Sequence, residues 1–198
     1  MSTKSNVGGI VGFAQNNALI KRCYSAAWTS ATGQREIKGS SRVGGIVGNL
    51  GDVSPGCKVV NCMNKSLVKE TSATGAGVGG VVGVLTYGLV ANCLAGDVYV
   101  INSGANDRFV GMVVGFVQAN GTVQNCYSPR VGKNFGYFTY TDNAKTNPTS
   151  QSPATSNTGT MGQVYGKLNG GTAKDCYYRG HSGGVATGGK TSVSTATN

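Results

Sequence analysis

Three groups of residues have types and spacings that could do chemistry. The first is Gly184-Val-Ala-Thr-Gly-Gly-Lys190-Thr191, which matches a phosphate-binding loop letter for letter. That chemistry needs a buried strand before the loop and a helix after it, whose N-terminal amides hold the phosphate. Here His181-Ser-Gly-Gly precedes, and a short Ser/Thr-rich run follows. Neither flank supplies the required element, so no nucleotide cofactor is expected.

The second group is the acids: Glu36, Asp52, Glu70, Asp97, Asp107, Asp142 and Asp175. Glycoside cleavage needs two carboxylates facing one groove. Lyase chemistry wants acids clustered on Ca²⁺ beside a base. Nothing in the spacing brings two of these acids together, and His181 has no positioned partner. No serine-nucleophile signature is present. The expectation is a protein that is not an enzyme, with no catalytic residue.

The third group is Cys23, Cys57, Cys62, Cys93, Cys126 and Cys176. Zinc sites combine close Cys spacing with further Cys or His, and that pattern is missing, so no metal is expected. Five of the six recur at one position of a repeat, which points to a structural role.

That repeat must position everything else. Val7-Gly-Gly-Ile-Val-Gly12 returns as Val43-Gly-Gly-Ile-Val-Gly48, Val78-Gly-Gly-Val-Val-Gly83, Val110-Gly-Met-Val-Val-Gly115 and, eroded, Met161-Gly-Gln-Val-Tyr-Gly166. The steps are 36, 35, 32 and 51 residues. A second block follows each: Ile20-Lys-Arg-Cys-Tyr24, Val59-Val-Asn-Cys-Met63, Val90-Ala-Asn-Cys-Leu94, Val123-Gln-Asn-Cys-Tyr127 and Ala173-Lys-Asp-Cys-Tyr177. The blocks are short, β-branched and punctuated by glycine, which reads as strands. Periods in the thirties with short strands imply stacked turns. The expected fold is all-β: a right-handed, parallel β-helix-like solenoid of about five turns of 32–51 residues, roughly 24 Å long at one strand spacing per turn. Residues 1–179 would form it, with a polar loop inserted at 141–160. Residues 180–198 form a Gly/Ser/Thr-rich tail.

Tolerance within the chain sorts the faces. The position of Ile10 is always Ile or Val, so Ile10, Ile46, Val81, Val113 and Val164 are expected to stack inside. The Val7 and Val11 positions accept Met and Tyr and are expected to face outward or into a second layer. Ile20 and Cys23 have opposite parity. A left-handed corner at Arg22, Asn61, Asn92, Asn125 and Asp175 would repair it, since Asn tolerates that conformation. Asn61, Asn92 and Asn125 could then form a side-chain ladder. Cys23, Cys62, Cys93, Cys126 and Cys176 would stack inside as reduced thiols, because parallel Cβ vectors suit a disulfide poorly. Cys57, outside the pattern, is expected to be exposed.

The chain has 198 residues, 33 of them Gly without a Gly-X-Y period, which excludes collagen. Net charge is +10 from 17 Lys+Arg against 7 Asp+Glu. The cations are scattered and do not interleave with aromatics as on an RNA-binding sheet, so no nucleic-acid partner is expected. The uncharged stretch 77–96 holds six glycines, and equivalent stretches carry charge, so no membrane span is expected. The run Phe135-Gly-Tyr-Phe-Thr-Tyr140 makes Tyr137, Phe138 and Tyr140 candidate ligand-facing aromatics.

Gly-Gly-Ile-Val-Gly followed by Val-x-Asn-Cys-Tyr-Ser resembles the GLUG motif family, over residues 6–184. The resemblance implies a repeat of large secreted or surface-attached bacterial proteins, with a spacer, adhesion or display role and an extracellular or cell-surface location. Met1 to Asn6 shows no apolar leader core, so that location rests on the resemblance. The expected function is a non-catalytic structural or adhesion module that presents loops and a basic face. Its expected partner is an anionic glycan or host surface, met by Tyr24, Tyr127, Tyr137, Tyr140 and Tyr177. The first alternative is a subunit that stacks end to end through uncapped strand edges. A glycan-binding or glycan-active β-helix is the lesser one.

Overall fold

The computed structural model describes residues 5–26, 29–30, 33–34, 36–51, 56–71, 76–96, 100–102, 109–128, 135–137, 161–162 and 164–178. Over these the chain is all-β, in parallel sheets apart from one antiparallel pair, Thr29–Ser30 with Gly33–Gln34.

The two blocks of each copy supply three of the four parallel sheets. The first sheet joins Ser5–Gly8, Ser41–Gly44, Val78–Gly79, Val110–Gly111 and Met161–Gly162 in copy order. The second begins with Val11–Ala14 and Val47–Leu50, and includes the long strands Val82–Ala91 and Val114–Gln124. In those two copies one continuous strand spans both blocks. Elsewhere the second block forms its own strand in the same sheet, Leu19–Lys21, Lys58–Val60 and Thr172–Lys174. The third sheet stacks Tyr24–Ser25, Met63–Asn64, Leu94–Ala95, Tyr127–Ser128 and Tyr177–Tyr178. The fourth stacks Glu36–Gly39, Leu67–Glu70, Val100–Asn102 and Phe135–Tyr137.

Registers join like to like. Val7 pairs with Val43, Val43 with Val78, Val78 with Val110, and Val110 with Met161 across the longest step. Ile20, Val59, Val90, Val123 and Ala173 form an equivalent row.

Within the first block the chain does not run straight. It bends at Gly9–Ile10, Gly45–Ile46, Gly80–Val81 and Met112–Val113, so the block is two strands in different sheets. At the bend two successive amides converge on one carbonyl of the next copy. Ile46 N and Val47 N donate to Val81 O at 2.9 and 3.0 Å, and Val81 N and Val82 N to Val113 O at 2.9 and 3.0 Å. The Val7 and Val11 positions, expected to face outward or into a second layer, share one core with the Ile46 position in the inner copies. A bend cancels simple alternation, so Val43, Ile46 and Val47 all point into the core, as do Val78, Val81 and Val82. One core also collects Leu50, Val59, Val68, Leu85, Val90, Val117 and Val123.

Ile10 is the second correction. It occupies the same position as buried Ile46, Val81, Val113 and Val164, yet it is 48% exposed. The first copy has a neighbour on one side only, so its bend is left half uncovered.

Glycine permits the bend. A Cβ on Gly44, Gly79 or Gly111 would overlap the carbonyl of Val47, Val82 or Val114, and would stand 2.7 Å from the nitrogen of Gly83, Gly115 or Gly166 in the next copy. The glycine at the far end of the block is equally tight: a Cβ on Gly83 would sit 2.6 Å from both Gly48 O and Val43 N. Two glycine rows thus close against each other along the whole stack. Replacing Gly79 by Ala in this close-packed setting is expected to destabilise the fold by roughly 3 kcal/mol, as measured by urea unfolding.

The second block turns at one residue in every copy. Arg22, Asn61, Asn92, Asn125 and Asp175 have φ of 56°, 55°, 51°, 50° and 51°, in the left-handed region. Their amides continue the ladder: Asn61 N donates to Ala91 O at 3.1 Å and Asn92 N to Gln124 O at 3.1 Å. Left-handed backbone costs an ordinary L-residue about 1–2 kcal/mol, and glycine far less. Asn92→Val should therefore lower unfolding stability by about 1–2 kcal/mol, while Asn92→Gly should remain close to the parent in the same titration.

Candidate functional site

The corner separates two rows of side chains. On its inner side lie the thiols. Cys62, Cys93, Cys126 and Cys176 are buried, and Cys23, in the end copy, is half-buried. All six cysteines are free thiols. Each thiol of the row leans back on the carbonyl two residues earlier: Cys62 Sγ to Val60 O at 3.3 Å, Cys93 to Ala91 at 3.2 Å, Cys126 to Gln124 at 3.3 Å and Cys176 to Lys174 at 3.3 Å. Neighbouring thiols of the row also influence one another's protonation. The neighbouring thiols of Cys126 and then Cys62 hold Cys93 below the ordinary thiol value, against the opposing effect of burial. Cys176 is lowered by Cys126. Cys62 is raised, first by its bond with Cys93 and then by burial, and Cys126 by its bonds with Cys176 and Cys93. Such a row titrates as a unit.

Cys57 corrects another expectation. It is fully buried rather than exposed, with Sγ 3.9 Å from Ala14 O. Its carbonyl accepts from the Leu89 amide at 2.9 Å, so Cys57 itself belongs to the ladder.

On the outer side the corner presents a polar row and an apolar row. Arg22, Asn61, Asn92, Asn125 and Asp175 are exposed. Two residues on, Tyr24 pairs with Met63, Met63 with Leu94, Leu94 with Tyr127, and Tyr127 with Tyr177. Tyr24, Tyr127 and Tyr177 are 55%, 42% and 44% exposed, and Met63 and Leu94 are partly so. The residues between the tyrosine positions and the next segment point inward: Ser25, Asn64, Ala95 and Ser128 are buried. Asn64 closes a local turn, accepting from Ser66 N at 2.9 Å and donating to Ser66 O at 3.1 Å, while Ser25 and Ser66 hydroxyls meet at 3.1 Å. Ser128 Oγ is buried without a hydrogen-bond partner. These inward residues hold the short strands that carry the tyrosines.

Of the seven acids, Glu36, Glu70 and Asp175 lie among the described residues. Glu70 is fully buried, where its Oε1 accepts from Gly77 N at 3.4 Å. Glu36 lies in the fourth sheet and Asp175 at an exposed corner. Asp52, Asp97, Asp107, Asp142, His181 and the 184–191 loop lie outside the described residues. Among the described residues no group of three or more His, Cys, Asp or Glu could hold a metal ion, and no helix is long and apolar enough to cross a membrane. Of the aromatic run, Tyr137 stands in a strand whose backbone pairs with Asn102. Phe138 and Tyr140 lie outside the described residues.

Sequence reasoning missed two features. Met63 and Leu94 complete the tyrosine row. Their signal was available, since they follow the corner at the same interval as Tyr24. The second is a cluster made by Phe109 and Phe116, ring centroids 4.6 Å apart, with Lys167 Nζ 4.7 Å above the Phe109 ring. Phe109 and Lys167 come from different copies, and no spacing within one copy announces them.

Comparison with protein-family models, with curated proteins and with solved structures finds no match to this chain.

The thiol row makes a direct expectation. Brief alkylation of the folded protein should label Cys23 first. Cys57, Cys62, Cys93, Cys126 and Cys176 should react only after denaturant is added, as read by mass spectrometry of the digested protein.

Proposed function

We propose that this chain is a non-catalytic β-solenoid module with a structural or adhesive role in a bacterial surface or secreted protein. The observation that carries the reading is the like-to-like parallel register. Each copy lies in register on the next in every sheet it reaches, so copies accumulate along one direction at about 4.8 Å each. Parallel crossovers are nearly always right-handed, which gives the coil its proposed hand. A body built this way separates points in space and offers its sides to partners, and its loops vary in length without disturbing the stack. The family resemblance and the surface location it implies rest on the motif residues alone.

A second reading, an end-to-end filament or array subunit, has its own observation. Ile10, at the bend, and Phe13 and Leu19, on strands with a parallel partner on one side only, are exposed apolar residues of the first copy. Exposed edges and apolar ends favour stacking.

Light scattering behind a sizing column, over a hundredfold range of concentration, separates the two. The module reading expects a constant monomer mass with an elongated hydrodynamic profile. Mass that grows with concentration, and that returns to monomer in an Ile10→Lys/Leu19→Lys variant, would put the filament first.

A further inference from the structure

The outer corner carries more than a general basic face. In each copy it holds a polar side chain on a left-handed corner and, two residues on, a large apolar one: Arg22 with Tyr24, Asn61 with Met63, Asn92 with Leu94, Asn125 with Tyr127, and Asp175 with Tyr177. The corner backbone is fixed by the interstrand ladder, so these groups are held at about 4.8 Å intervals before any ligand arrives. The result is a straight strip, apolar along one line and rich in amides along the next. Cations flank it: Lys21, Arg22, Lys58, Lys65 and Lys174 are exposed on the same or the adjoining strands, against Asp175 as the acid of the corner row.

We infer that this strip binds an extended anionic polysaccharide lying along the stacking direction. A sugar ring has an apolar face that stacks on tyrosine and hydroxyls that bond to side-chain amides. Its carboxylates or sulfates pair with Lys and Arg. A polymer repeats those three features along its length, as the strip does. Tyr127 and Tyr177, on adjacent copies, form the principal stacking subsite. Tyr24 with Lys21 and Arg22 forms the second, at the other end, and Met63 and Leu94 make the floor between. The strip's apolar line is narrow and interrupted by polar neighbours, which fits a chain better than a broad protein surface.

The inference deepens the module reading and rests on it. The test is calorimetric titration of the full chain, at low salt, with polygalacturonate (carboxylated), heparin (sulfated) and dextran (neutral), alongside light scattering of the same samples. At least one anionic polymer should bind a monomeric protein. Tyr127→Ala/Tyr177→Ala, two exposed positions, should weaken binding about tenfold or more. Arg22→Asn/Lys174→Gln, which keeps a residue suited to the corner, should weaken binding and flatten its salt dependence. The carboxylated and sulfated arms identify which anion is read. Binding of neither anionic polymer overturns the inference while an unchanged monomer mass leaves the module reading standing. Binding of dextran as tight as the anionic polymers, or binding by a folded tyrosine variant as tight as the parent, also overturns it. So does self-association that the tyrosine variant abolishes, because the strip would then be a protein interface.

Discussion

The fold depends on one crowded place, the bend at the middle of the first block. Two neighbouring amides there share a single carbonyl of the next copy, and the chain passes so close to itself that neither flanking glycine has room for a Cβ. Once that bend exists, the strands before and after it belong to different sheets and both can turn their valines inward. Without it the same six residues would form one flat strand with half its apolar side chains in water. Burial of Val43, Ile46 and Val47 together is thus a consequence of two missing methyl groups.

The second corner works by the opposite means. The bend of the first block relies on glycine for close approach. The corner of the second relies on residues that carry a polar side chain into left-handed backbone, and so it has a surface to present. That difference divides the molecule chemically. The glycine bend is sealed and faces a core of valines, whereas the corner has sulfur behind it and amides, cations and tyrosines in front. The residue between the corner and the outer tyrosine, methionine or leucine is the inner cysteine itself.

Much of this was legible in the sequence, and the remainder failed for identifiable reasons. Short β-branched blocks at a regular spacing imply parallel strands, and parallel sheets are present. The residues with left-handed backbone in the second block stand where the sequence has Asn, Arg or Asp. The inward set was misjudged because alternation assumes a straight strand, and Gly9–Ile10 bend. Tolerance of Met161 and Tyr165 suggested an outward face, although Tyr165 is buried; larger side chains are accommodated inside near the last copy. Ile10 failed because position in a repeat does not report position in a stack. Asn6 and Arg42 also have left-handed backbone, at φ 57° and 50°, and are joined by a 3.3 Å hydrogen bond from Arg42 Nη1 to Asn6 Oδ1. Their dissimilar side chains hide that equivalence until Val7 and Val43 are aligned.

The pairing of Val110 with Met161 spans 51 residues, yet it has the same register as pairs separated by 32 to 36. Strand register is therefore indifferent to the number of residues between one block and its counterpart. Alignment is written locally, by the few residues of each block, and the length of chain between blocks is a separate variable that sequence change can alter while the row of aligned positions stays the same.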